Sequence, residues 1–319
     1  MRIVHDLAQV HPAARAYVTI GVFDGVHRGH QQLLTRMTEA AHSTHNSAIA
    51  ITFEPHPATT LGYEPPPLLT TVEERAGLLA ALRIDTLVVL PFTPDTVRTP
   101  ATDFVAVLIH HLHLAELWGG PGFALGYRRE GDVPFLRRLG AARGFAVRVV
   151  EPLTWQGTLV SSSRVRAALR AGDIPQATGC LGRPYRLAGT VVRGDGRGRR
   201  IGVPTANVSP LSGRLVPAGG VYACLACTEH PGTHPAVVNV GTRPTFAETS
   251  GSQALVIEAH LLDVNADLYG QVLTMDFVAR LRDERAFATP QALVEQVHAD
   301  IAQARAILSS LSLPGRGLG

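Results

Sequence analysis

A glycine-rich segment between a short apolar strand and a helix constrains the fold of this chain more than any other feature. The strand is predicted at 17–20, and the segment, GVFDGVHRGH, occupies 21–30 and opens a helix. Gly21, Gly25 and Gly29 have no Cβ, so the backbone there can approach a nucleotide closely. The free N–H groups and the positive end of the helix dipole attract phosphate. The segment therefore predicts a nucleotide-binding α/β domain.

Two histidines of this segment, His27 and His30, are three residues apart and share one face of the first helical turn. Imidazoles aimed at a phosphate can donate hydrogen bonds to the charge that develops when a nucleotidyl group is transferred. A zinc site is the alternative, but zinc metalloproteases place two histidines four residues apart with a glutamate between them. We therefore favour phosphate chemistry for this pair.

The first 182 residues alternate between strands and helices, a pattern typical of a mostly parallel sheet with helices on both faces. Strands are predicted at 17–20, 47–53, 86–91, 114–118 and 145–150, and helices at 28–42, 71–83, 102–112, 131–143, 162–171 and 174–181. Ligands of such sheets bind beyond the carboxyl ends of the strands. The first domain is expected to span 1–182.

The pattern changes at 181–184, after which short alternating strands are separated by Gly, Pro, Asn and Asp. Strands are predicted at 186–192, 221–227, 236–240, 254–262 and 272–278, and a helix at 290–308. They predict a small antiparallel β-barrel with a C-terminal helix, in a second domain at 183–308. A disordered tail is expected at 309–319. The fold class is thus α/β plus β.

The chain has no lysine: all 29 basic residues are arginines, against 26 acidic residues. A Walker A phosphate loop is excluded because it needs a lysine. The net charge of +3 is spread over both halves and is too small for a nucleic-acid-binding surface. Three cysteines do not make a disulfide framework, and no apolar run reaches membrane length. We expect a cytoplasmic monomer or weak homo-oligomer whose partners are small molecules, with no nucleic acid and no membrane.

Three further stretches accompany the glycine-rich segment. FEPHP at 53–57 ends the second strand, 119–132 follows the fourth, and SSSRVR at 161–166 begins a helix. A serine run is a good N-cap series, but hydroxyls followed by two arginines at a helix N-terminus can also clamp a triphosphate. Beside the histidine pair, the clamp is the favoured interpretation.

A second dense signal is RGDGRGRRIGVPTAN at 193–207. Its glycines and arginines predict either a mobile basic hairpin loop or a flap that closes over ATP phosphates. Thr205 and Asn207 supply hydroxyl and amide oxygens, which are hard ligands of the kind that Mg²⁺ accepts.

Glu258 lies on the predicted strand at 254–262. Positions 255, 257, 259 and 261 are apolar and alternate onto one face, while Glu258 lies on the other face with His260. A carboxylate in such a strand is costly unless it is paired or used in chemistry, and the alternative is a partly exposed residue at the rim. His260 is interpreted as a packed histidine.

Cys224, Cys227, His230 and His234 have short spacings that suit four zinc ligands. On a strand, however, residues three apart point to opposite faces, so Cys224 and Cys227 would diverge. Core thiols are the favoured interpretation.

Several of these motifs resemble one known family. The segment at 21–30 is similar to the HxGH signature of nucleotidylyltransferases, and its Phe-Asp-Gly narrows the likeness to prokaryotic FAD synthetases. TFEPHP at 52–57, VSSSRVR at 160–166, PTAN at 204–207 and IEAHLLDVNADLYG at 257–270 resemble further motifs of bacterial bifunctional riboflavin kinase/FAD synthetases. The resemblance covers about 15–305 and implies a Rossmann-like nucleotidylyltransferase domain followed by a riboflavin kinase barrel. It also implies Mg²⁺, ATP as co-substrate, and riboflavin, FMN and FAD as substrates and products.

The resemblance implies roles for individual residues. Catalysis would fall to His27 and His30 in adenylyl transfer, and to Glu258 as acceptor of the proton of the riboflavin 5′-hydroxyl. The adenylyltransferase would bind ATP through Gly21, Phe23, Asp24, Gly25, His27, Gly29, His30, Ser162, Ser163, Arg164 and Arg166. The kinase would bind ATP and Mg²⁺ through Gly194, Gly198, Arg199, Gly202, Pro204, Thr205 and Asn207, the last two as metal ligands. The flavin and nucleotide sites would be lined by Phe53, Pro55, His56, Phe123, Asn239, Arg243 and Arg282.

Two positions depart from the family pattern. The family commonly has Asp or Asn where this chain has Gly122, and often Arg where it has Ala124. The departures leave open a riboflavin kinase whose adenylyltransferase module is weakened or inactive. A non-catalytic flavin-binding regulator is a third hypothesis, which the presence of Thr205, Asn207 and Glu258 opposes.

Overall fold

The computed structural model describes residues 1–12, 14–194, 203–228, 232–243, 254–264 and 266–310. They form two compact units, residues 1–162 and 163–319. The boundary expected from the sequence, between 182 and 183, falls after two helices that group here with the second unit. The predicted residues Gly198, Arg199, Gly202 and His230, and the predicted tail from 311 onward, lie outside the described residues.

The first unit alternates strands and helices. Its strands are β1 (Arg2–Val4), β2 (Ala16–Ile20), β3 (Ser47–Glu54), β4 (Thr86–Pro91), β5 (Leu114–Gly119), β6 (Ala124–Leu125), β7 (Gly131–Asp132), β8 (Ala146–Val149), β9 (Thr154–Trp155) and β10 (Thr158–Leu159). Its helices are α1 (Arg28–Ser43), α2 (Pro57–Thr60), α3 (Val72–Ala81), α4 (Pro94–Arg98), α5 (Ala101–Leu112) and α6 (Val133–Arg143). The first unit ends at Ser162, which is also the first residue of helix α7 (Ser162–Ala171).

A six-stranded parallel sheet in the order β1-β4-β3-β2-β5-β8 forms the centre of this unit. Alternate residues of its strands enter two separate cores, for example Val18 and Ile49 on one face and Tyr17 and Ala48 on the other. The strand order reverses at β2, which lies between β3 and β5. In open parallel sheets, ligands bind at the carboxyl ends of strands at such a reversal point. The glycine-rich turn follows β2 at that position.

The second unit is a closed antiparallel barrel preceded by α7 and α8 (Ile174–Leu181) and followed by α9 (Pro290–Ser309). Its strands are β11 (Tyr185–Val192), β12 (Ala206–Pro210), β13 (Gly220–Cys227), β14 (Thr233–Arg243), β15 (Ala254–Leu261) and β16 (Val272–Arg282), in the order β11-β12-β15-β14-β13-β16. Tyr185, Tyr222 and Phe277 are fully buried, and the ring of Phe277 contacts both tyrosine rings. Helix α9 packs on the outside, where Ala304 and Leu308 meet Val221 and Val237.

The predicted fold class is confirmed, and most predicted elements are present within a few residues of their predicted ends. Strands β14 and β16 are longer than predicted, and β1 and β12 were not predicted. Strand β12 contains Pro, Asn and Ser and has no alternating pattern, so its pairing with β11 and β15 determines its conformation. Cys224 is fully buried, as expected for a core thiol, and burial raises its pKa well above the usual thiol value.

Among the described residues, no helix combines the length and the apolar character needed to cross a bilayer. No group of three or more His, Cys, Asp or Glu side chains in the same residues is arranged to hold a metal ion.

Candidate active sites

The turn between β2 and α1 is held in place by a buried carboxylate. Asp24 is 2% exposed, and its two oxygens accept hydrogen bonds at 3.0 Å from the backbone N–H groups of Leu69 and Thr70. The Thr70 hydroxyl donates to Asp24 at 3.1 Å and accepts from the Gly25 N–H at 3.0 Å. The Ser162 hydroxyl donates to the Asp24 carbonyl oxygen at 2.8 Å. These contacts give Asp24 the role of shaping the turn.

The backbone of the turn is in an unusual conformation. Phe23, Gly25 and Val26 have φ values of 51°, 79° and 40°. Positive φ is ordinary for glycine but costs free energy for phenylalanine and most of all for β-branched valine. Such conformations persist where the surrounding contacts impose them, and they cluster at functional sites.

The two histidines of the turn are stacked on each other. Their ring centroids are 3.6 Å apart and their planes differ by 17°. His27 is the N-cap of α1, because its Nδ1 accepts a hydrogen bond of 3.2 Å from the His30 N–H. The edge of the Phe23 ring meets His30, with centroids 5.3 Å apart.

The surroundings of His30 determine its protonation state. Its Nδ1 is enclosed and has no hydrogen-bond partner among the described residues. Burial, then His27, then the Arg75 guanidinium hold the pKa of His30 well below the ordinary histidine value. His30 is therefore neutral near pH 7, with one ring nitrogen able to donate and the other able to accept a hydrogen bond.

The other predicted residues of this unit lie at the carboxyl ends of strands or just beyond them. Phe53 packs edge-on against Phe92, with centroids 5.0 Å apart, and Pro55 follows at the end of β3. His56 caps α2 by accepting from the Ala58 N–H. Phe123 lies against Gly119, where a Cβ would overlap its ring.

The positions that depart from the family pattern follow β5. Gly122 has open space around its Cα, and its carbonyl oxygen accepts from Arg129 at 2.8 Å. Ala124 begins β6. Ser163, Arg164 and Arg166 continue α7 into the second unit, where Arg166 is buried.

In the barrel, three polar side chains come into register on neighbouring strands. Glu258 on β15 pairs with Asn207 on β12 and with Asn239 on β14. Directly paired residues of antiparallel strands share a face, so the carboxylate lies between the two amides. The neighbours of Glu258 along β15, Ile257 and Ala259, are each 1% exposed and point the other way. The predicted alternation of this strand is confirmed.

Glu258 lines a cavity of about 380 Å³ between the barrel and α9. Thr205, Asn239, His260 and Arg282 line the same cavity. Its apolar walls are Val221, Val237, Val256, Phe287, Leu293 and Val297. A cavity with flat apolar walls and a few convergent polar groups suits an aromatic ring system that carries a polar chain.

Thr205 also lines a second cavity, of about 490 Å³, together with Pro204 and residues 266–269. A Cβ at Gly194 would overlap the side-chain amide of Asn207, so glycine leaves the space that this amide fills. His260 Nδ1 donates to the Pro204 carbonyl oxygen at 2.7 Å and holds the PTAN segment against β15. Thr205 therefore lies where the two cavities meet.

Arg282 connects the barrel to α9 as well as lining the first cavity. Its Nε and Nη2 donate to Asp300 at 3.0 and 2.9 Å, and Gln296 donates to the same carboxylate at 2.7 Å. The Asp300 residue is 2% exposed. For Arg243 only the backbone is described, at the end of β14.

Comparisons with known proteins agree with this arrangement. A family model for FAD synthetase matches residues 10–164, and one for riboflavin kinase matches residues 181–308. The bifunctional riboflavin kinase/FMN adenylyltransferase of Pseudomonas fluorescens is 38% identical over 96% of this chain and 98% of its own length. That of Escherichia coli K12 is 36% identical over 96% of each chain.

The chain belongs to the bifunctional riboflavin kinase/FMN adenylyltransferase family.

Each matched family model covers one of the two folds, the FAD synthetase model the parallel sheet and the riboflavin kinase model the barrel with α9. The protein is thus a bifunctional flavin-cofactor enzyme, and the kinase-only and regulator hypotheses are not favoured. A crystal structure from Streptococcus pneumoniae, described as that of a macrolide-efflux protein, has the same fold, with a TM-score of 0.87 and 27% identity over 95% of this chain and 98% of that one.

The structure also reveals residues near the two sites that the sequence did not indicate. Arg75, on α3, is 2% exposed, and Asp300, which is also 2% exposed, lines the cavity of about 380 Å³. Both sit in helices among other charged residues, where a charge ordinarily indicates a solvated face. The only available signal was the apolar spacing of α3, in which Arg75 and Leu79 occupy the same buried face.

Proposed function

We propose that the two reactions of this family take place at the two sites described above. The barrel would phosphorylate riboflavin to FMN, and the turn between β2 and α1 would transfer an adenylyl group from ATP to FMN, giving FAD and pyrophosphate. Two observations carry the proposal: the register of Glu258 between Asn207 and Asn239, and the enclosed, unpartnered Nδ1 of His30.

In the kinase reaction, the riboflavin 5′-hydroxyl must lie close both to a proton acceptor and to the γ-phosphate of ATP. Glu258 lines the 380 Å³ cavity, so riboflavin binds there with its ring system against the apolar walls and its 5′-hydroxyl towards the carboxylate. Glu258 accepts the hydroxyl proton as the oxygen attacks the γ-phosphate of ATP, and ADP leaves. The ATP phosphates lie across Thr205, towards the second cavity.

The donor set beside Glu258 fits Mg²⁺. The Thr205 hydroxyl and the Asn207 amide carbonyl are hard oxygen ligands, and Gly194 leaves room for the amide. We therefore assign these two residues to a Mg²⁺ ion that arrives with ATP. When bound, Mg²⁺ offsets the negative charge of the phosphate oxygens. Asn207 and Thr205 orient the triphosphate so that its terminal phosphorus faces the hydroxyl held by Glu258.

In the adenylyl transfer, an FMN phosphate oxygen attacks the α-phosphorus of ATP in line, and the bond to pyrophosphate breaks. No covalent intermediate with the protein is required. His27 and His30 donate hydrogen bonds to the α-phosphate oxygens as charge builds up on them. Ser162, Ser163, Arg164 and Arg166 hold the β- and γ-phosphates. The flavin surface is supplied by residues at the ends of β3 and β5, namely Phe53, Pro55, His56 and Phe123.

Incubation of the purified protein with riboflavin, ATP and Mg²⁺, followed by separation of the flavins, tests the assignment. We expect FMN to appear first and FAD to follow. FMN without FAD would indicate that Gly122 and Ala124 have disabled the adenylyltransferase, and the absence of both products would refute the proposal. For its other partners, we propose small molecules only, in a cytoplasmic monomer or weak homo-oligomer; light scattering measures the mass.

A further inference from the structure

Arg75 is a fully buried cation whose charge no step of the proposed chemistry uses. It lies on the inner face of α3, and its side chain is among the largest that are completely enclosed. Taking a guanidinium out of water is unfavourable, and an aliphatic side chain would satisfy the packing of a helix against a sheet. Arginine also remains protonated in proteins. A permanent charge in this buried position therefore indicates that the guanidinium has a functional role.

A short chain of hydrogen bonds joins Arg75 to the glycine-rich turn. Its Nη1 donates to the Thr52 hydroxyl on β3 at 3.0 Å. That hydroxyl donates in turn to the Val22 carbonyl oxygen at 3.1 Å. Val22 stands between Gly21 and Phe23, so two hydrogen bonds connect α3 to the strained part of the turn. The Nε of Arg75 is enclosed and has no hydrogen-bond partner within the described ranges.

The charges around Arg75 are mostly negative. Asp24, Glu54 and Glu73 all act on the guanidinium and raise its pKa, against burial, which lowers it more strongly. Asp24 belongs to the turn itself. A turn that receives a triphosphate and an FMN phosphate would repel them if its own carboxylate were not offset. Arg75 is a buried cation that acts on this carboxylate from inside the protein.

We propose that Arg75 is a positioning residue for adenylyl transfer: it fixes the turn through Thr52 and Val22, and its charge offsets Asp24 beneath the bound phosphates. The proposal rests on the assignment of adenylyl transfer to this turn. Arg75 does not touch the substrates, because it is enclosed; it acts through the turn and through the imidazole of His30. The charge of Arg75 favours ATP binding, and the hydrogen bonds through the Thr52 hydroxyl maintain the conformation of the turn.

The state of His30 agrees with this role. The groups that face His30 are His27 and Phe23 from the turn and Arg75 from α3. Arg75 contributes to the lowered pKa of His30, after burial and His27. Removing the guanidinium charge therefore raises the pKa of His30, and the acid limb of the adenylyl-transfer pH profile moves to higher pH.

Three variants separate the effect of the Arg75 charge from the effect of the hydrogen bonds that join Arg75 to Val22 through Thr52. Arg75→Met removes both, Arg75→Lys keeps the charge, and Thr52→Val keeps the charge but removes the bridge to Val22. FAD formation from supplied FMN is followed at varied ATP and varied pH, with riboflavin phosphorylation by the same samples as an internal reference. Arg36→Met, an exposed arginine on α1, is the matched control.

We expect Arg75→Met to raise the KM for ATP about tenfold or more, with a much smaller change in kcat. Arg75→Lys should restore the KM to within about threefold and return the acid limb to its original pH. The proposal is overturned if Arg75→Met and Arg75→Lys give the same KM and the same pH profile. If the Arg75→Met protein does not fold, the Arg75→Lys protein provides the test. A tenfold rise in the KM for ATP of folded Arg75→Lys would contradict a role for the charge. A parent enzyme that makes no FAD would instead refute the assignment of adenylyl transfer to this turn, on which the role of Arg75 rests.

Discussion

At the scale of single residues, Glu258 offers the most direct test of the kinase site. Glu258→Gln keeps the shape of the side chain but removes the proton acceptor, so FMN formation should fall about 100-fold or more. FAD formation from supplied FMN should continue, because His30 and Glu258 lie in different compact units. Glu295→Gln, at an exposed position of α9, is the control and should change neither reaction. An equal loss of both reactions in Glu258→Gln would contradict the separation of the sites.

The lowered pKa of His30 predicts a pH dependence of stability. A histidine whose pKa is lower in the folded than in the unfolded protein binds fewer protons when folded, so the free energy of unfolding falls as the pH drops below about 6.5. The loss continues down to the lowered pKa of the folded state. His30→Gln should flatten this dependence, whereas His11→Gln, at an exposed histidine, should not.

The chain contains a suitable reporter for this measurement. Both of its tryptophans, Trp118 and Trp155, belong to the first unit, so tryptophan fluorescence during urea unfolding follows that unit alone. Unfolding curves at several pH values between about 5 and 8 give the slope. A His30→Gln slope equal to that of the parent protein would show that another group is responsible.

The residues that sequence reasoning identified are those with a local pattern. Glu258 stands out because apolar residues alternate around it on one strand, and His27 and His30 because glycines surround them. The resemblance assigns Asp24 to ATP binding, and the structure adds that its carboxylate accepts hydrogen bonds from the backbone N–H groups of Leu69 and Thr70, which lie 45 and 46 residues away. Contacts over such separations depend on the tertiary fold and leave no local signal.

At the scale of secondary-structure elements, α9 is tied to the barrel by one buried and one exposed ion pair. Asp300 and Arg282 have side chains only 3% and 19% exposed, whereas Asp263 and Arg305 are 69% and 49% exposed. Asp300→Asn removes the negative charge that pairs with the mostly buried guanidinium of Arg282. The free energy of unfolding of the second unit should therefore fall by about 3 kcal/mol. Because α9 forms one wall of the 380 Å³ cavity, the KM for riboflavin should rise as well.

Asp263→Asn is the matched control for this change. The residue has a φ of 62°, a conformation that asparagine tolerates, and exposed ion pairs contribute little to stability. We expect no measurable loss. Calorimetry reports both units, and tryptophan fluorescence identifies the transition of the first unit, which should stay unchanged in both variants. Equal melting temperatures for the Asp300→Asn and Asp263→Asn proteins would contradict the role given to the buried pair.

Elements marked by a local sequence signal, such as a helix cap, could be predicted. Strands whose conformation depends on hydrogen bonds to neighbouring strands could not. Helix α8 was predicted with its observed bounds because Asp173 caps it and Gly182 ends it in the left-handed conformation. Strand β12 is not among the predicted strands, and Asn207 and Pro210 within it are poor strand residues. Its conformation comes from hydrogen bonds to β11 and β15, and that pairing is what aligns Asn207 with Glu258.

At the scale of the whole molecule, the proposed function joins two unrelated ways of holding phosphate in one chain. The first unit would use a helix N-terminus and imidazoles at the reversal point of a parallel sheet. The second would use hydroxyl, amide and carboxylate oxygens on the outer face of a closed barrel. FMN is the product of the second unit and a substrate of the first, so the order of the two reactions follows from their chemistry and not from the order of the domains.

This division predicts that two variants, each with one disabled site, can complement each other. Glu258→Gln should make FAD only from supplied FMN, and His30→Gln should stop at FMN. A mixture of the two, given riboflavin, ATP and Mg²⁺, should produce FAD, because FMN released by one molecule can bind the other. FAD should appear after a lag that shortens as the concentration of the Glu258→Gln protein rises, since FMN must diffuse between molecules.

Separation of the flavins over time measures the lag, and the parent enzyme at the same concentration of active sites is the reference. A parent lag equal to that of the mixture means that FMN also passes through solution in the intact enzyme. A mixture that makes no FAD, although each variant performs its own half-reaction, would contradict free exchange and would mean that the His30→Gln protein does not release the FMN that it makes.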